Sequence, residues 1–457
     1  MQIGIVRAPM CHSERRRTVQ NNTIRRPYGR IFQFLTFFFV DDAVYYIYMY
    51  HRSETMDQQE IQNLTPAVKQ TVLALLRSGL WGVPFQPQPD TDWQSVYTEL
   101  KHQTVQHLCV DVLAAADSAN KFLYIQNLSE NIRKWHRIME TQQNVVAMLA
   151  QAGIPCAVMK GAAAGQYYPK PEYRSMGDID LIVKPEDFDK ALALLQPSWK
   201  YLHENHRHIT MGQKGMVLEL HRSFANFRKP ELSRFLDERI LAGITQAETC
   251  TLGNFTFPCQ PRLTNGLILL THINIHMEQG LGLRQMIDWM MYVDRELDDQ
   301  FWQEEFSAAV RQLGLEKLAV AVTRMGQLYF GLREDITWCR HADDALCRDL
   351  LDHTFRQGNF GRKSTARMNT AVAVISAAKN VPAFFRELQR RGLYNWQAAK
   401  KHRFLRPFAW LYQLLRYAVL GLKRKNPVGF FLQAFASEKK QGSLLDRLEV
   451  SRMSNDH

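Results

Sequence analysis

Gly177-Asp178-Ile179-Asp180-Leu181-Ile182-Val183 is the stretch on which the fold turns. Ile179 to Val183 reads as a buried strand, short and apolar except for one aspartate. Asp178 and Asp180 stand at i and i+2 where that strand begins. Side chains alternate faces along a strand, so both carboxylates project from one side. Two hard carboxylates on one face make a natural platform for Mg²⁺ or Mn²⁺, ions that prefer oxygen ligands. An Asp-x-Asp by itself also marks turns, helix starts and solvated faces, so its surroundings have to carry the argument.

Upstream, Ile154 to Met159 is a short apolar run between helical patterns, read as a second buried strand. It leads into Lys160-Gly161 and a short helix from Ala162 to Tyr168, ended by Pro169 and Pro171. Backbone N–H groups at a helix start, approached closely through a glycine, suit an anion. Downstream, Pro185 to Gln196 reads as a helix with proline at its start. Strands follow around Tyr201 to His203 and His206 to Met211, then a turn at Gly212 to Gly215 and a strand from Met216 to His221. In Val217-Leu218-Glu219-Leu220-His221 the glutamate is costly to bury unless something compensates it, and a metal ion would. If this strand neighbours the first, Asp178, Asp180 and Glu219 converge as two-metal phosphoryl chemistry requires.

Around this module the periodicity is helical, over residues 57–80 and 92–152, with Gly153 as a helix stop. A helix follows Phe227, a hairpin is expected from Cys250 to Cys259 around Leu252-Gly253-Asn254, and helical spacing continues from Arg262 onward. The chain thus divides into an atypical extension (1–55), an N-terminal helical region (56–152), a catalytic core (153–227), a helical domain with a small hairpin (228–385) and a basic helical tail (386–457).

The 457 residues carry a net charge of +12, but unevenly. Residues 386–440 hold 13 Lys/Arg and two Asp/Glu, while residues 56–385 sum to −2. A globally basic nucleic-acid binder is therefore excluded. In the tail, Phe404, Phe408 and Trp410 stand among Arg403 and Arg406, ahead of an apolar run and Lys423-Arg424-Lys425. Such a helix suits an anionic membrane surface or RNA phosphates, or packs as a core helix with a solvated basic end. Seven scattered cysteines without metal-ligand spacing fit a reducing compartment, so a cytoplasmic location is expected, with peripheral contact to the inner face of the membrane as an option.

Residues 1–55 differ from the rest, with Arg15-Arg16-Arg17, Arg25-Arg26 and an aromatic run broken by Asp41-Asp42. The acid pair and the missing small-residue cleavage site argue against an anchor or a secretory signal. An accessory element, or upstream sequence read in frame before a natural start at Met56, are the other readings, the last being preferred.

The strand, Lys160-Gly161, the short helix, Tyr167-Tyr168-Pro169, Arg174, Gly177-Asp178-Ile179-Asp180 and Leu218-Glu219-Leu220-His221 together resemble the uncharacterised nucleotidyltransferase family of the DNA polymerase β superfamily, over about residues 140–300. The resemblance implies an α+β protein: a polymerase β-like nucleotidyltransferase α/β module with a mixed sheet, flanked by N-terminal helices and a largely helical C-terminal region. It implies transfer of NMP from an NTP, with release of pyrophosphate, to an acceptor of unknown kind: small molecule, sugar, protein or RNA. The alternatives are an inactive nucleotide-binding or membrane-associated scaffold and a toxin-like RNA-modifying enzyme. By resemblance Asp178, Asp180 and Glu219 bind the metal, Mg²⁺ or Mn²⁺. Gly161 falls to the phosphates by the same resemblance, which also has an arginine at Arg174. Lys160 and Gly177 are further candidates for the nucleotide, Lys160 being equally readable as a surface lysine at a strand end. His221 either touches substrate, orients the carboxylate or acts as a base, or is a hydrogen-bonded core histidine. Two departures stand out: Ala162 replaces the usual serine or glycine after Gly161, and the third acid is Glu rather than Asp. His206 and His208 are read as a solvated strand face, His272 and His276 as packing or pocket residues, and Arg284 with Asp288 as a pair one helical turn apart.

Overall fold

The computed structural model describes residues 64–359, 381–396, 398–399, 402–422 and 443–453. The expectations for residues 1–55 and for Lys423-Arg424-Lys425 lie outside them.

Helix α1 (Pro66–Trp81) starts on a Thr65 cap with proline at its first position and ends at Gly82, whose φ of 69° closes it. The helical pattern over 92–152 resolves into three helices, α2 (Trp93–Gln103), α3 (Val110–Ala116) and α4 (Lys121–Gln151). The break is invisible in the periodicity because its own residues, Val105, Leu108 and Cys109, are buried as a helix face would be. Thr104, at φ 59°, turns the chain there.

The α/β part then runs β1 (Cys156–Met159), the one-turn helix α5 (Gly161–Gly165), β2 (Ile179–Val183), α6 (Phe188–Leu195), β3 (Lys200–Glu204), β4 (His208–Gln213), β5 (Met216–His221), α7 (Pro230–Thr245), β6 (Glu248–Leu252) and β7 (Phe255–Cys259). These strands form one mixed sheet in the order β3-β4-β5-β2-β1-β7-β6. β2 pairs parallel with β5 and antiparallel with β1. The hairpin β6–β7, read from sequence as an appendage of the helical region, extends this sheet by parallel pairing of β7 with β1. Strands β1 and β2 are buried along their whole length, as central strands covered on both faces must be.

Each face has its own cover. Val158, Leu181, Val183, Leu218 and Leu220 pack with Trp135, Ile138, Met139 and Leu149 of α4 and with Phe188 and Leu195 of α6. The opposite face, with Ala157, Met159 and Ile182, joins the large core made by α1 to α3 together with α8 (Arg262–Gln279), α9 (Leu283–Glu296) and the helices that follow as far as Phe355. The regions before and after the sheet therefore share one interior. Gln103 ties them, accepting from Leu283 N at 3.0 Å and donating to Thr354 O at 3.3 Å.

In the tail, α10 (Val381–Asn395) packs on α11 (Ala409–Leu422), with Trp396 stacked on Tyr412 at 5.0 Å. Phe404, Phe408, Leu411, Leu414 and Leu415 are exposed rather than buried as a core stripe would be. No helix among the described residues is long and apolar enough to cross a membrane.

Candidate active site

Strand alternation and register build the site. Asp180 lies opposite Glu219 in the β2–β5 pair, and Ile182 opposite His221. His208 lies opposite His221 in the β4–β5 pair. Positions 180, 182, 219, 221 and 208 therefore share the face toward α8 and α9, while 179, 181, 218 and 220 fill the core under α4 and α6. Two acids side by side on neighbouring parallel strands are an electrostatic cost that only a function or a cation offsets.

Lys160 ends β1 and reaches into this cluster. Its Nζ donates to Asp180 Oδ1 at 2.6 Å and lies 3.8 Å from Glu219 Oε2. Burial opposes its charge, but Asp180, Glu219 and Asp178 outweigh that and hold it firmly protonated. Its backbone sits at φ 50°, ψ −119°, a region that side chains other than glycine avoid. Strain of this kind persists where surrounding structure imposes it, and here it aims the chain from strand to helix at the site.

His221 Nε2 lies 3.2 Å from Asp180 Oδ1 and 3.3 Å from Glu219 Oε2, so one imidazole braces both acids. Burial opposes its protonation, and the bonds to Asp180 and Glu219 raise its pKa above the ordinary value regardless. Glu219 is held well below the usual carboxylate range: burial works against ionisation, and His221 and Lys160 overcome it. Asp178 is different. Burial first, then repulsion from Asp180 and Glu219, pushes it up to about 6, against the pull of Lys160 and Arg284.

Gly161 and Gly177 flank the acids. A methyl group on Gly161 would lie 3.4 Å from Met176 Cε and 3.6 Å from the Asp178 carbonyl, ordinary contacts, so packing does not demand glycine there. Gly177 is exposed, with nothing within 4 Å of where a Cβ would stand.

Arg174 enters a buried ion pair while its charge still attracts Asp178. Its Nε and Nη2 each donate at 2.7 Å to the two oxygens of Asp288, and Tyr168 Oη donates to the same carboxylate at 2.7 Å. The bidentate partner of Asp288 is thus Arg174, not the Arg284 one turn away that helical spacing suggests. Arg284 Nη1 donates instead to the Ser175 carbonyl at 3.1 Å, and its charge still pulls on Asp178. Arg174 Nη1 is buried without a hydrogen-bond partner.

His208 corrects the sequence reading. It faces Glu219, with Nε2 3.8 Å from Oε1, and burial pushes its pKa down to about 3. His206 precedes β4 rather than lying on it. His272 and His276 share a contact of 2.9 Å between their Nε2 atoms on α8, and burial first, then His276 and Lys160, holds His272 well below its ordinary pKa. The one sequence signal for His208 is its alternation. Its face follows only once the antiparallel register with β5 is known.

The donor set fits a divalent cation. Asp178, Asp180 and Glu219 offer hard oxygen ligands on one side of the sheet, and the Lys160 ammonium meets the last two of them.

The family model described as "Uncharacterised nucleotidyltransferase" matches residues 89–331, more than half of the chain. No curated protein matches. A solved structure, that of an antigenic nucleotidyltransferase-like protein from Paracoccidioides brasiliensis, is similar to 41% of this chain and 91% of its own length, at 15% identity and a TM-score of 0.28.

Proposed function

This chain belongs to the uncharacterised nucleotidyltransferase family, and from that premise we propose that it moves a nucleoside monophosphate from an NTP to an acceptor, with Asp178, Asp180 and Glu219 holding Mg²⁺ or Mn²⁺. The observation that carries this reading is the register of Asp180 beside Glu219, with Asp178, pushed up to about 6 by burial first and then by the charge of those two acids, standing two residues before Asp180. A divalent cation bound there would neutralise triphosphate oxygens and polarise the α-phosphorus.

In the transfer, an acceptor oxygen forms a bond to the α-phosphorus as the bond to the β-phosphate oxygen breaks. Pyrophosphate leaves, and the acceptor's proton passes to a carboxylate of the cluster and then to water. His221 fixes the orientation of Asp180 and Glu219 by lying against both. Lys160 supplies positive charge for the β- or γ-phosphate. Gly161 and the open space at Gly177 let phosphate approach the backbone. Arg174 keeps one guanidinium nitrogen, Nη1, for a phosphate oxygen while Asp288 holds the rest. The acceptor remains a class, a hydroxyl on a small molecule, sugar, protein or RNA, and a membrane-facing tail would bring the site to acceptors at that surface.

The experiment is incubation with each α-³²P-labelled NTP, Mg²⁺ or Mn²⁺, and cell extract, following label transfer and pyrophosphate release. Wild type is expected to label an acceptor and Asp178→Ala/Asp180→Ala to label none. Identical behaviour of the two with all four NTPs would overturn the reading and leave a nucleotide-binding scaffold.

A further inference from the structure

We propose that the same sheet face carries a second cation seat, formed by His208 Nε2, Glu219 and His221 Nε2 and suited to Zn²⁺ or Co²⁺ rather than Mg²⁺ or Mn²⁺. The three residues offer one ligand atom each within 4.8 Å of one another. Their placement is fixed by the backbone: His208 and His221 stand opposite in an antiparallel pair, and Glu219 precedes His221 by two residues on the same face.

Hydrogen bonding accounts for part of this geometry, with His221 Nε2 3.2 Å from Asp180 Oδ1 and His208 Nε2 3.5 Å from Asn205 Nδ2, but it does not require both rings to converge on Glu219. The two imidazoles lie 4.6 Å apart, tilted by 45°, and each turns Nε2 toward a different oxygen of the one carboxylate. His221 reaches Glu219 Oε2 at 3.3 Å, whereas His208 stops 3.8 Å from Oε1, too far for a hydrogen bond. Two nitrogens and a carboxylate converging at that spacing are the ligands of a three-residue metal site with an open position for water or substrate. Imidazole nitrogen shifts preference away from Mg²⁺, which takes oxygen ligands, toward later first-row ions. The ligands are largely shielded, with side-chain exposures of 12% for His208, 3% for His221 and 22% for Glu219.

Affinity follows from the outer contacts. The Nδ1 atoms of both histidines are buried without hydrogen-bond partners. Metal-bound imidazoles are usually braced through that atom, and losing the brace weakens binding about 10–100-fold. The seat is therefore an exchangeable one rather than a permanent structural site. It shares Glu219 with the carboxylate platform, which couples the two seats, but it stands independently of the transferase reading.

The test is a Co²⁺ titration of the metal-stripped full chain, read by visible absorption, with bound metal counted by elemental analysis. Wild type is expected to develop the intense absorption of a four- or five-coordinate nitrogen-ligated Co²⁺, any further Co²⁺ counted on the carboxylate platform adding only weak six-coordinate absorption. His208→Gln, which preserves bulk, and His208→Ala should each weaken that binding at least ~10-fold, while Asp178→Asn keeps the spectrum. Thermal unfolding of each variant establishes that it is folded. A pale six-coordinate spectrum, indifferent to both His208 substitutions, would overturn the seat. Because no turnover is measured, failure here and failure of the labelling assay are separate results.

Discussion

Lys160 Nζ donates to Asp180 Oδ1 at 2.6 Å, from a backbone position at φ 50° that places it at the end of β1, beside the two acids of β2 and β5. Asp180 is 3% exposed and Lys160 15%, so the pair lies in a medium where an unmatched charge is expensive. Replacing Lys160 with Met leaves the acids of β2 and β5 with one positive partner fewer, His221 still lying against both. The expected cost is about 2–4 kcal/mol in a metal-free buffer. Millimolar Mg²⁺ should return more stability to Lys160→Met than to wild type, because the bound ion takes over the missing charge. Thermal unfolding with and without Mg²⁺ checks this, and equal magnesium shifts in the two proteins would sink it.

Asp178 gives a pH signature with a definite sign. Its folded pKa of about 6 stands above the free value of 3.8, so the folded chain holds that proton more tightly than the unfolded one. The stability it contributes is complete below about 3.8 and is lost as pH rises through about 6. Asp178→Asn removes the titration, so without divalent ions it should be more stable than wild type at pH 8, by about 1–2 kcal/mol. The advantage should disappear near pH 4. Urea midpoints at the two pH values measure it, and an offset independent of pH would contradict the assignment.

Much of this site was legible because alternation is local. The order Asp178-Ile179-Asp180 and the pair Glu219 and His221 each share a face whatever the rest of the fold does. What depends on pairing was not. The inward face of His208 follows from the β4–β5 register, and the partner of Arg174, a loop residue, is Asp288, 114 residues later on α9. The break at Thr104 hid behind buried apolar residues that keep helical spacing through a turn. The hairpin Glu248–Cys259 was visible as a hairpin, but its edge pairing with β1 rests on contacts that carry no sequence mark.

Phe404 and Phe408 separate a surface helix from a core helix. They are 71% and 55% exposed, although aromatics at this spacing among basic residues are compatible with burial. Changing either to Ser should shift stability by no more than ~0.5 kcal/mol, as for surface positions generally. A loss of several kcal/mol in chemical denaturation would mean that this face is packed in the folded protein.

The Arg174–Asp288 pair joins the loop before β2 to α9 and thereby fixes the approach to Asp178. Both side chains are 3% exposed and bonded through two parallel contacts of 2.7 Å. Arg174→Lys cannot reproduce the planar fork, so one Asp288 oxygen loses its charged donor. Removing one partner of such a pair costs about 3–5 kcal/mol, whereas replacing both with apolar residues costs much less. Arg174→Met should therefore be strongly destabilising, and Arg174→Met/Asp288→Leu should recover a large part of the loss. Equilibrium unfolding of the two single variants and the double variant gives the coupling directly. Strict additivity would show that the two charges do not act as a pair. If the double variant recovers stability but transfers label poorly, the ion pair's purpose is to hold the Asp178 loop and its own Nη1 in place rather than to keep the chain folded.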